Sequence, residues 1–196
     1  MLVQVVQAKA NDREGVKKMW DRWDQEVKPA SKGYLGATGG LTSDGTLIVI
    51  ARFESEADAE ANNDVPEQQQ WYAEFEKYLD GEPAFTNYTN VEMDRGGGSD
   101  DAGFVQVIRI KGGDVEAFKN LDEEIRDKLN ELRPDVIGSV TLWEGDDVTQ
   151  VIYFTSEEEA RKNESNPEFQ EIAGRFMAIG GEPAFYDLSD PWLASA

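Results

Sequence analysis

An internal repeat of about 100 residues constrains the fold of this chain more than any other feature. The pentapeptide Gly81-Glu82-Pro83-Ala84-Phe85 recurs unchanged at residues 181–185, and Val3-Gln4-Val5 recurs at residues 105–107. Two further pairs of blocks keep the same order, residues 35–36 with 137–138 and residues 52–56 with 153–157. The offsets lie between 100 and 102 residues, which is what small loop deletions would produce. Matched blocks in one order indicate that the chain is a duplication.

A glycine-rich polar segment separates the two copies. Residues 94–103 contain Gly96-Gly97-Gly98 and no bulky apolar side chain. This composition is typical of a flexible linker. The sequence therefore predicts a first repeat over residues 1–93, a linker over 94–103 and a second repeat over 104–196.

Each repeat has the pattern of the same secondary-structure elements. In the first repeat, a β-branched strand from Val3 to Lys9 precedes a helix whose apolar residues recur at helical spacing. Two strands follow, joined by the turn Ser43-Asp44-Gly45, and then two short helices, the second of which begins at Pro66. A last strand is expected from Phe85 to Val91. The order β-α-β-β-α-α-β recurs in the second repeat.

This order predicts an α+β fold made of two ferredoxin-like βαββαβ repeats. A split βαβ order builds a four-stranded antiparallel sheet with helices on one face. The first strand is apolar on both faces, because Val3 and Val5 alternate with Leu2 and Val6, so each sheet needs a second cover. We therefore expect the two sheets to pack against each other within one chain. The expected state is a monomer with pseudo-twofold symmetry, whose exposed strand edges would allow a weak dimer.

The residue composition excludes several classes of function. The chain has 196 residues and neither histidine nor cysteine, which removes zinc ribbons, iron–sulfur clusters, His-ligated haem and Ser-His-Asp triads. We expect no metal site, since the acidic runs lack the spacing of a calcium loop. The formal net charge of −21 repels polyanions, so neither nucleic acid nor an anionic membrane is expected as a partner. No targeting or membrane-spanning pattern is recognisable, and we expect a cytoplasmic location.

The sequence resembles the dimeric α+β barrel superfamily, and within it the antibiotic-biosynthesis-monooxygenase-like and stress-responsive barrel families. The resemblance rests on the strand Val3-Gln4-Val5-Val6, the hairpin end Arg52–Ala59, the Pro66 helix with Trp71, and the segment Gly81–Phe85. It covers nearly the whole chain, twice, and implies that the two repeats form one intramolecular dimeric α+β barrel. Members include cofactor-free monooxygenases, haem-degrading enzymes, isomerases and cyclases. The resemblance therefore specifies the fold better than the activity.

The absence of histidine reduces the number of activities that the resemblance implies for this chain. The haem-degrading and peroxidase-like branches hold iron through a histidine, which this chain lacks. The resemblance to the cofactor-independent monooxygenases requires no histidine, because their electron-rich phenolic substrates form a carbanion that reacts directly with oxygen. We expect such an activity on a small aromatic or polyketide-like substrate, without a cofactor. The protein would supply a dry pocket, hydrogen-bond donors and orientation, while a carboxylate, a tyrosine or the substrate itself would account for proton removal.

Two other functions remain open at this point. One is a non-enzymatic small-molecule-binding or stress-related protein of the same fold, and the other is a scaffold with a degenerate site. The sequence identifies no catalytic residue.

The candidate binding residues lie in the first repeat, because the second largely lacks its cluster of aromatic and amide side chains. Asp122 and Ile125 of the second repeat align with two first-repeat tryptophans, and Phe169 lies near the position of a third. We expect a small apolar or aromatic molecule to be bound by six residues, Trp20, Trp23, Asn62, Gln69, Trp71 and Tyr72. The alternative is that these tryptophans are core residues, since helical spacing alone predicts that. Gln4 and Gln106, at equivalent strand positions, are either pocket donors or a structural pair across the pseudo-twofold axis.

Overall fold

The chain forms two compact units. A computed structural model describes residues 1–195. The first unit contains residues 1–89 together with the C-terminal segment that begins at Trp192, and the second contains Asn90–Pro191.

The first unit is a five-stranded antiparallel sheet with helices. Its elements are β1 (Leu2–Lys9), α1 (Arg13–Glu26), β2 (Tyr34–Leu41), β3 (Thr46–Phe53), α2 (Glu56–Asn63), α3 (Pro66–Phe75), β4 (Ala84–Tyr88) and, from the end of the chain, β10 (Trp192–Ser195). Two 3₁₀ turns lie at Lys28–Ala30 and Glu76–Tyr78. The strand order in the sheet is β10-β2-β3-β1-β4.

The second unit repeats this arrangement. Its elements are β5 (Asn90–Asp94), β6 (Phe104–Lys111), α4 (Val115–Leu132), β7 (Val136–Glu144), β8 (Asp147–Phe154), α5 (Glu157–Glu164), α6 (Pro167–Ala178) and β9 (Glu182–Leu188). The strand order is β5-β7-β8-β6-β9. The described residues thus form two antiparallel five-stranded sheets and six α-helices, which confirms the α+β class and the two ferredoxin-like repeats.

The fifth strand of each sheet was not predicted, and it moves the unit boundaries. Asn90–Asp94, expected at the end of the first repeat, pairs with β7 of the second sheet. Trp192–Ser195, expected in the second repeat, pairs with β2 of the first sheet. Both strands have five residues or fewer, so neither carries a recognisable alternation. Their pairing depends on sheet edges that are distant in sequence.

The segment expected to be a flexible linker makes specific contacts in the second unit. The Arg95 guanidinium donates hydrogen bonds to the Val136 carbonyl and to Asn130 Oδ1. The Gly103 amide donates to the Phe154 carbonyl at 3.0 Å, and Ala102 is buried. These contacts fix the entry into β6.

Repeated capping residues begin the helices at equivalent positions. Asp12 and Asp114 are the N-caps of α1 and α4, and their side chains accept hydrogen bonds from backbone amides at 3.0 and 2.9 Å. Pro66 and Pro167 occupy the first turns of α3 and α6. The second helix of each pair therefore begins 101 residues after its counterpart.

Each sheet has a β-bulge at the same place, and in the second unit the bulge requires glycine. The register shifts between Val136 and Gly138, as it does between Tyr34 and Gly36. A Cβ atom at position 138 would lie 1.9 Å from the carbonyl oxygen of Gly97. The two backbones approach so closely that no side chain fits between them.

Two glycine-to-alanine substitutions in the second unit should change stability in opposite directions. Gly138→Ala is expected to lower the free energy of unfolding by about 2 kcal/mol or more, because the backbone must shift to admit the methyl group. Gly174→Ala is the control: Gly174 is an exposed position in α6 with open space around its Cβ. That change should raise the free energy of unfolding by about 0.5–1 kcal/mol through helix propensity. Urea denaturation followed by circular dichroism measures both, and equal effects would contradict the close approach.

Candidate functional site

Each unit has a cavity between its helices and the facing side of its sheet, and the two cavities differ greatly in size. The cavity of the second unit has a volume of about 920 Å³. The cavity of the first unit has a volume of about 110 Å³. Small-molecule sites usually measure about 300–1,000 Å³, so the second cavity has the size of a ligand site and the first does not.

The floor of the second cavity is the helix-facing side of its sheet. Residues directly opposite one another across the strands form two rows. One row contains Asp94, Ser139, Ile152, Gln106 and Asp187, and the other contains Glu92, Thr141, Gln150, Ile108 and Phe185. All ten line the cavity. The floor is therefore mainly polar, with hydrogen-bonding groups on the central strands.

The equivalent floor of the first unit is mainly apolar. Its two rows contain Ala194, Ala37, Ala51, Gln4 and Asn87, and Trp192, Gly39, Val49, Val6 and Phe85. Ser139, Thr141 and Gln150 of the second unit thus stand where the first unit has alanine, glycine and valine. On its central strands the second floor thus offers three polar side chains that the first lacks, and on its edge strand Asp94 and Glu92 stand where the first unit has Ala194 and Trp192.

Large side chains fill the first cavity. The Trp20 ring packs onto Gly39, where an added Cβ would lie 2.6 Å from the ring, and contacts Trp192 at a centroid distance of 5.7 Å. In the second unit, Asp122 takes the place of Trp20 and Glu92 the place of Trp192. These replacements remove two indole rings from over the sheet.

The roof of the second cavity, formed by α4 and α6, combines apolar and polar side chains. Its apolar side chains are Phe118, Leu129, Phe169, Ala173, Phe176 and Met177, and its polar ones are Asp122, Arg126, Asn130 and Gln170. Met177 is 57% exposed and Phe185, on the floor, is 56% exposed, so the cavity reaches the surface between them. A ligand would thus contact the apolar side chains of the roof and polar ones on both sides.

A hydrogen-bonded network joins floor and helix at one end of the second cavity. Gln106 Nε2 donates to Asp187 Oδ1 at 2.8 Å, and the Arg161 guanidinium donates to Asp187 Oδ2. Burial alone would lower the pKa of Arg161, but hydrogen bonds to Asp187 and Glu164 outweigh it and raise the pKa. The guanidinium therefore stays charged, and Gln106, which is 7% exposed, has a fixed amide orientation.

A buried ion pair supports the same wall. Arg133 and Asp135 are both buried, with a guanidinium–carboxylate distance of 2.8 Å, and Asn163 Nδ2 donates to Asp135 Oδ1 at 2.7 Å. The Arg133 guanidinium lies between the rings of Phe154 and Phe169, at 5.1 and 4.6 Å from their centroids. This packing holds Phe169 at the cavity wall.

Five of the six residues predicted from the sequence line the first, smaller cavity. They are Trp20, Trp23, Asn62, Trp71 and Tyr72. The sixth, Gln69, lies outside it, since its exposed side chain donates to the Asn63 carbonyl at 3.2 Å. Its neighbour Gln68 lines the cavity instead and accepts a hydrogen bond from Trp23 Nε1 at 2.8 Å.

Several polar atoms of these first-unit side chains have partners within the protein. Trp71 Nε1 donates to the Met19 carbonyl at 2.7 Å, and Asn62 Oδ1 accepts from the Ser31 hydroxyl. Burial, together with the nearby Glu76 and Glu82 carboxylates, raises the pKa of the Tyr72 hydroxyl. The aromatic rings also pack against the hydrophobic clusters of the unit.

The two glutamines at equivalent strand positions each bond within their own unit. Gln4 Nε2 donates to Asn87 Oδ1 at 3.0 Å, as Gln106 donates to Asp187. Both glutamines line their cavities. The hydrogen-bond partner of each glutamine is a side chain on the adjacent edge strand.

The comparison of the two repeat sequences did not predict the cavity of the second unit. The decisive signal is a loss of side-chain volume at positions that face the sheet, at Asp122 in place of Trp20 and at Ala173 in place of Tyr72. The approximate match of Phe169 with Trp71 was also wrong. Because α3 and α6 begin at Pro66 and Pro167, Trp71 corresponds to Ile172.

Comparison with known proteins shows the fold of the whole chain. No family model and no curated protein matches the sequence. A candidate monooxygenase from Lactobacillus acidophilus NCFM is 12% identical with a TM-score of 0.75, covering 99% of this chain and 95% of that one. An anthrone oxidase-like protein is 14% identical with a TM-score of 0.66, covering 98% and 92%. A staphylococcal regulator of pathogenesis is 9% identical with a TM-score of 0.55, covering 96% and 98%.

These matches extend over both units. The chain therefore has a tandem α+β fold like that of these proteins, and the fold is what such low identities show. Among residues 1–195, no helix has both the length and the apolar character needed to cross a membrane.

Trp71 should contribute strongly to the stability of the first unit. Trp71→Leu removes the bond to Met19 and the stacking on Phe75, whose ring centroid lies 4.6 Å away. We expect the free energy of unfolding to fall by about 2–4 kcal/mol, measured by urea denaturation. Trp71→Phe keeps an aromatic ring against Phe75 and should cost less. An unchanged midpoint for the leucine variant would mean that Trp71 has no structural role.

Proposed function

We propose that the second unit binds a small aromatic, polyketide-like molecule and promotes its oxidation by dioxygen without a cofactor. The observation that carries the proposal is the cavity of about 920 Å³, with aromatic and aliphatic side chains on its roof and a mainly polar floor. The similar folds of a candidate monooxygenase and an anthrone oxidase-like protein support the reaction class, although a shared fold alone does not define an activity.

The size of the cavity favours a polycyclic ligand. A cavity of about 150 Å³ holds benzene, so the first-unit cavity of about 110 Å³ is too small for fused rings. The second cavity accepts several fused rings and offers Phe118, Phe169 and Phe176 for ring contacts, each worth on the order of 1 kcal/mol beyond area burial.

The proposed reaction converts a ring CH₂ and dioxygen into a carbonyl group and water. Removal of one proton from the CH₂ moves an electron pair onto a substrate oxygen. The resulting anion reacts with dioxygen to give a peroxide, which loses water. Preorganised donors stabilise such an oxyanion, and Ser139, Thr141 and Gln150 supply them on the floor. The apolar side chains of the roof contact the ring system that carries the reacting carbon.

A second candidate function is binding without turnover. The observation in its favour is that the same fold occurs, over the full chain, in a staphylococcal regulator of pathogenesis. The cavity supports ligand binding under both functions, which differ only in whether the bound ligand is oxidised. A measurement of oxygen uptake distinguishes oxidation from binding without turnover.

A matched pair of α6 substitutions tests the location of the site. Ala173→Tyr places in the second cavity the residue that the first unit has at Tyr72, and it should weaken binding at least tenfold by filling the space. Gly174→Tyr adds the same side chain at the next, exposed position and should change affinity less than twofold. Calorimetric titration with a dihydroxyanthraquinone measures binding. Equal effects of the two variants would contradict the proposed site.

A second pair decides between the two units. Under the proposal, Phe169→Leu weakens binding several-fold, because Phe169 lines the second cavity. If Trp71→Leu alone weakens binding, the ligand occupies the first-unit residues expected from the sequence. Oxygen uptake with a hydroxylated anthrone then tests the reaction. Binding without uptake would establish the second candidate function.

A further inference from the structure

One carboxylate of the second cavity occupies a position unlike the others. Asp187 lies on edge strand β9, directly opposite Gln106 in the floor row, and it bonds both Gln106 and Arg161. The other four lining carboxylates form ion pairs without a floor amide. These pairs are Glu92 with Lys119, Asp94 with Arg95, Asp122 with Arg126, and Glu164 with Arg161.

The first unit has an uncharged side chain at the position that corresponds to Asp187. Asn87 replaces Asp187 and accepts from Gln4 at 3.0 Å in the same geometry. Arg161 corresponds to Glu60, because α2 and α5 align at an offset of 101 residues. A carboxylate at position 87 would therefore face a glutamate. The two repeats differ by a coordinated pair of changes, and together these changes introduce an ion pair beside the amide.

The proposed reaction needs a proton acceptor at this cavity. Among the described residues that line it there is no tyrosine, and the chain has no histidine. Carboxylates are the remaining side-chain bases. Asp187 is the one whose oxygens are fixed against the polar floor, where a substrate oxygen would meet Gln106.

We infer that Asp187 is the general base of the second unit, an assignment that rests on the proposed function. The C–H bond of the substrate CH₂ breaks, its proton passes to Asp187, and its electron pair moves through the conjugated rings onto the carbonyl oxygen as an enolate. Dioxygen, the oxidant, adds to the carbon, and Asp187 returns the proton to the peroxide. Loss of the second C–H proton with cleavage of the O–O bond gives the carbonyl group and water.

Arg161 keeps the free-energy cost of this proton transfer low. Negative charge leaves Asp187 and appears on the substrate oxygen within the same cavity wall. The guanidinium, held also by Glu157 and Glu164, lies against Asp187, where the charge starts. A fixed cation at this wall needs no reorganisation during the step.

Asp187→Asn tests the assignment, because it reproduces the amide pair that the first unit already has. We expect kcat for a hydroxylated anthrone to fall at least 100-fold, the lower range for loss of a general base. Affinity for the dihydroxyanthraquinone should change less than threefold. Asn87→Ala in the first unit is the matched control and should alter neither quantity. For Asp187→Ala, added formate should restore part of the rate.

The outcomes separate the two proposals. Turnover by Asp187→Asn within threefold of the wild-type rate overturns the base assignment and leaves the monooxygenase proposal in place. A tenfold loss of affinity without formate rescue also overturns it, since Asp187 would then only hold the wall. A wild-type protein that binds the quinone but consumes no oxygen overturns the reaction itself and the base with it.

Discussion

The register of the five-stranded sheets determines what each cavity contains. Because alternate side chains of a strand point to opposite faces, a shift of one residue would turn every floor residue away from the helices. The bulge at Gly138 changes this alternation once within β7 and brings Ser139 and Thr141 onto the floor. The tight contact between Gly138 and Gly97 therefore affects the site as well as the fold.

The two repeats show how one backbone supports either a packed interior or a ligand cavity. In the first unit, Trp20 needs Gly39 beneath it, since a side chain there would collide with the indole. In the second unit, Asp122 leaves that space open and Thr141 occupies the position of the glycine. A tryptophan over threonine would be overpacked, so these two positions change together. Coupled substitutions of this kind are expected where side chains share one volume.

Much of the fold could be predicted from the sequence, because short-range signals determine it. These signals are the repeated blocks, the Asp12 and Asp114 caps and the prolines that begin α3 and α6. Each of them depends on only a few neighbouring residues. The fifth strands could not be predicted, since β5 and β10 are short and their pairing depends on distant edges. The predicted residues did meet at one cavity, except Gln69, which lies one helical position from Gln68. What sequence comparison could not show is that aromatic residues fill their cavity, because helical spacing is the same for core and pocket.

The charge of the protein constrains the ionisation state of a ligand as it enters. The net charge of −21 creates a repulsive field for anions, which salt screens only beyond about 8 Å at physiological ionic strength. Inside the second cavity, five carboxylates are offset by the arginines and the lysine that pair with them. A phenol that ionised in solution would meet repulsion before reaching Arg161, whereas the neutral form enters freely. The field therefore favours a substrate that enters in its neutral form, so that the ring CH₂ loses its proton to the proposed base only within the cavity.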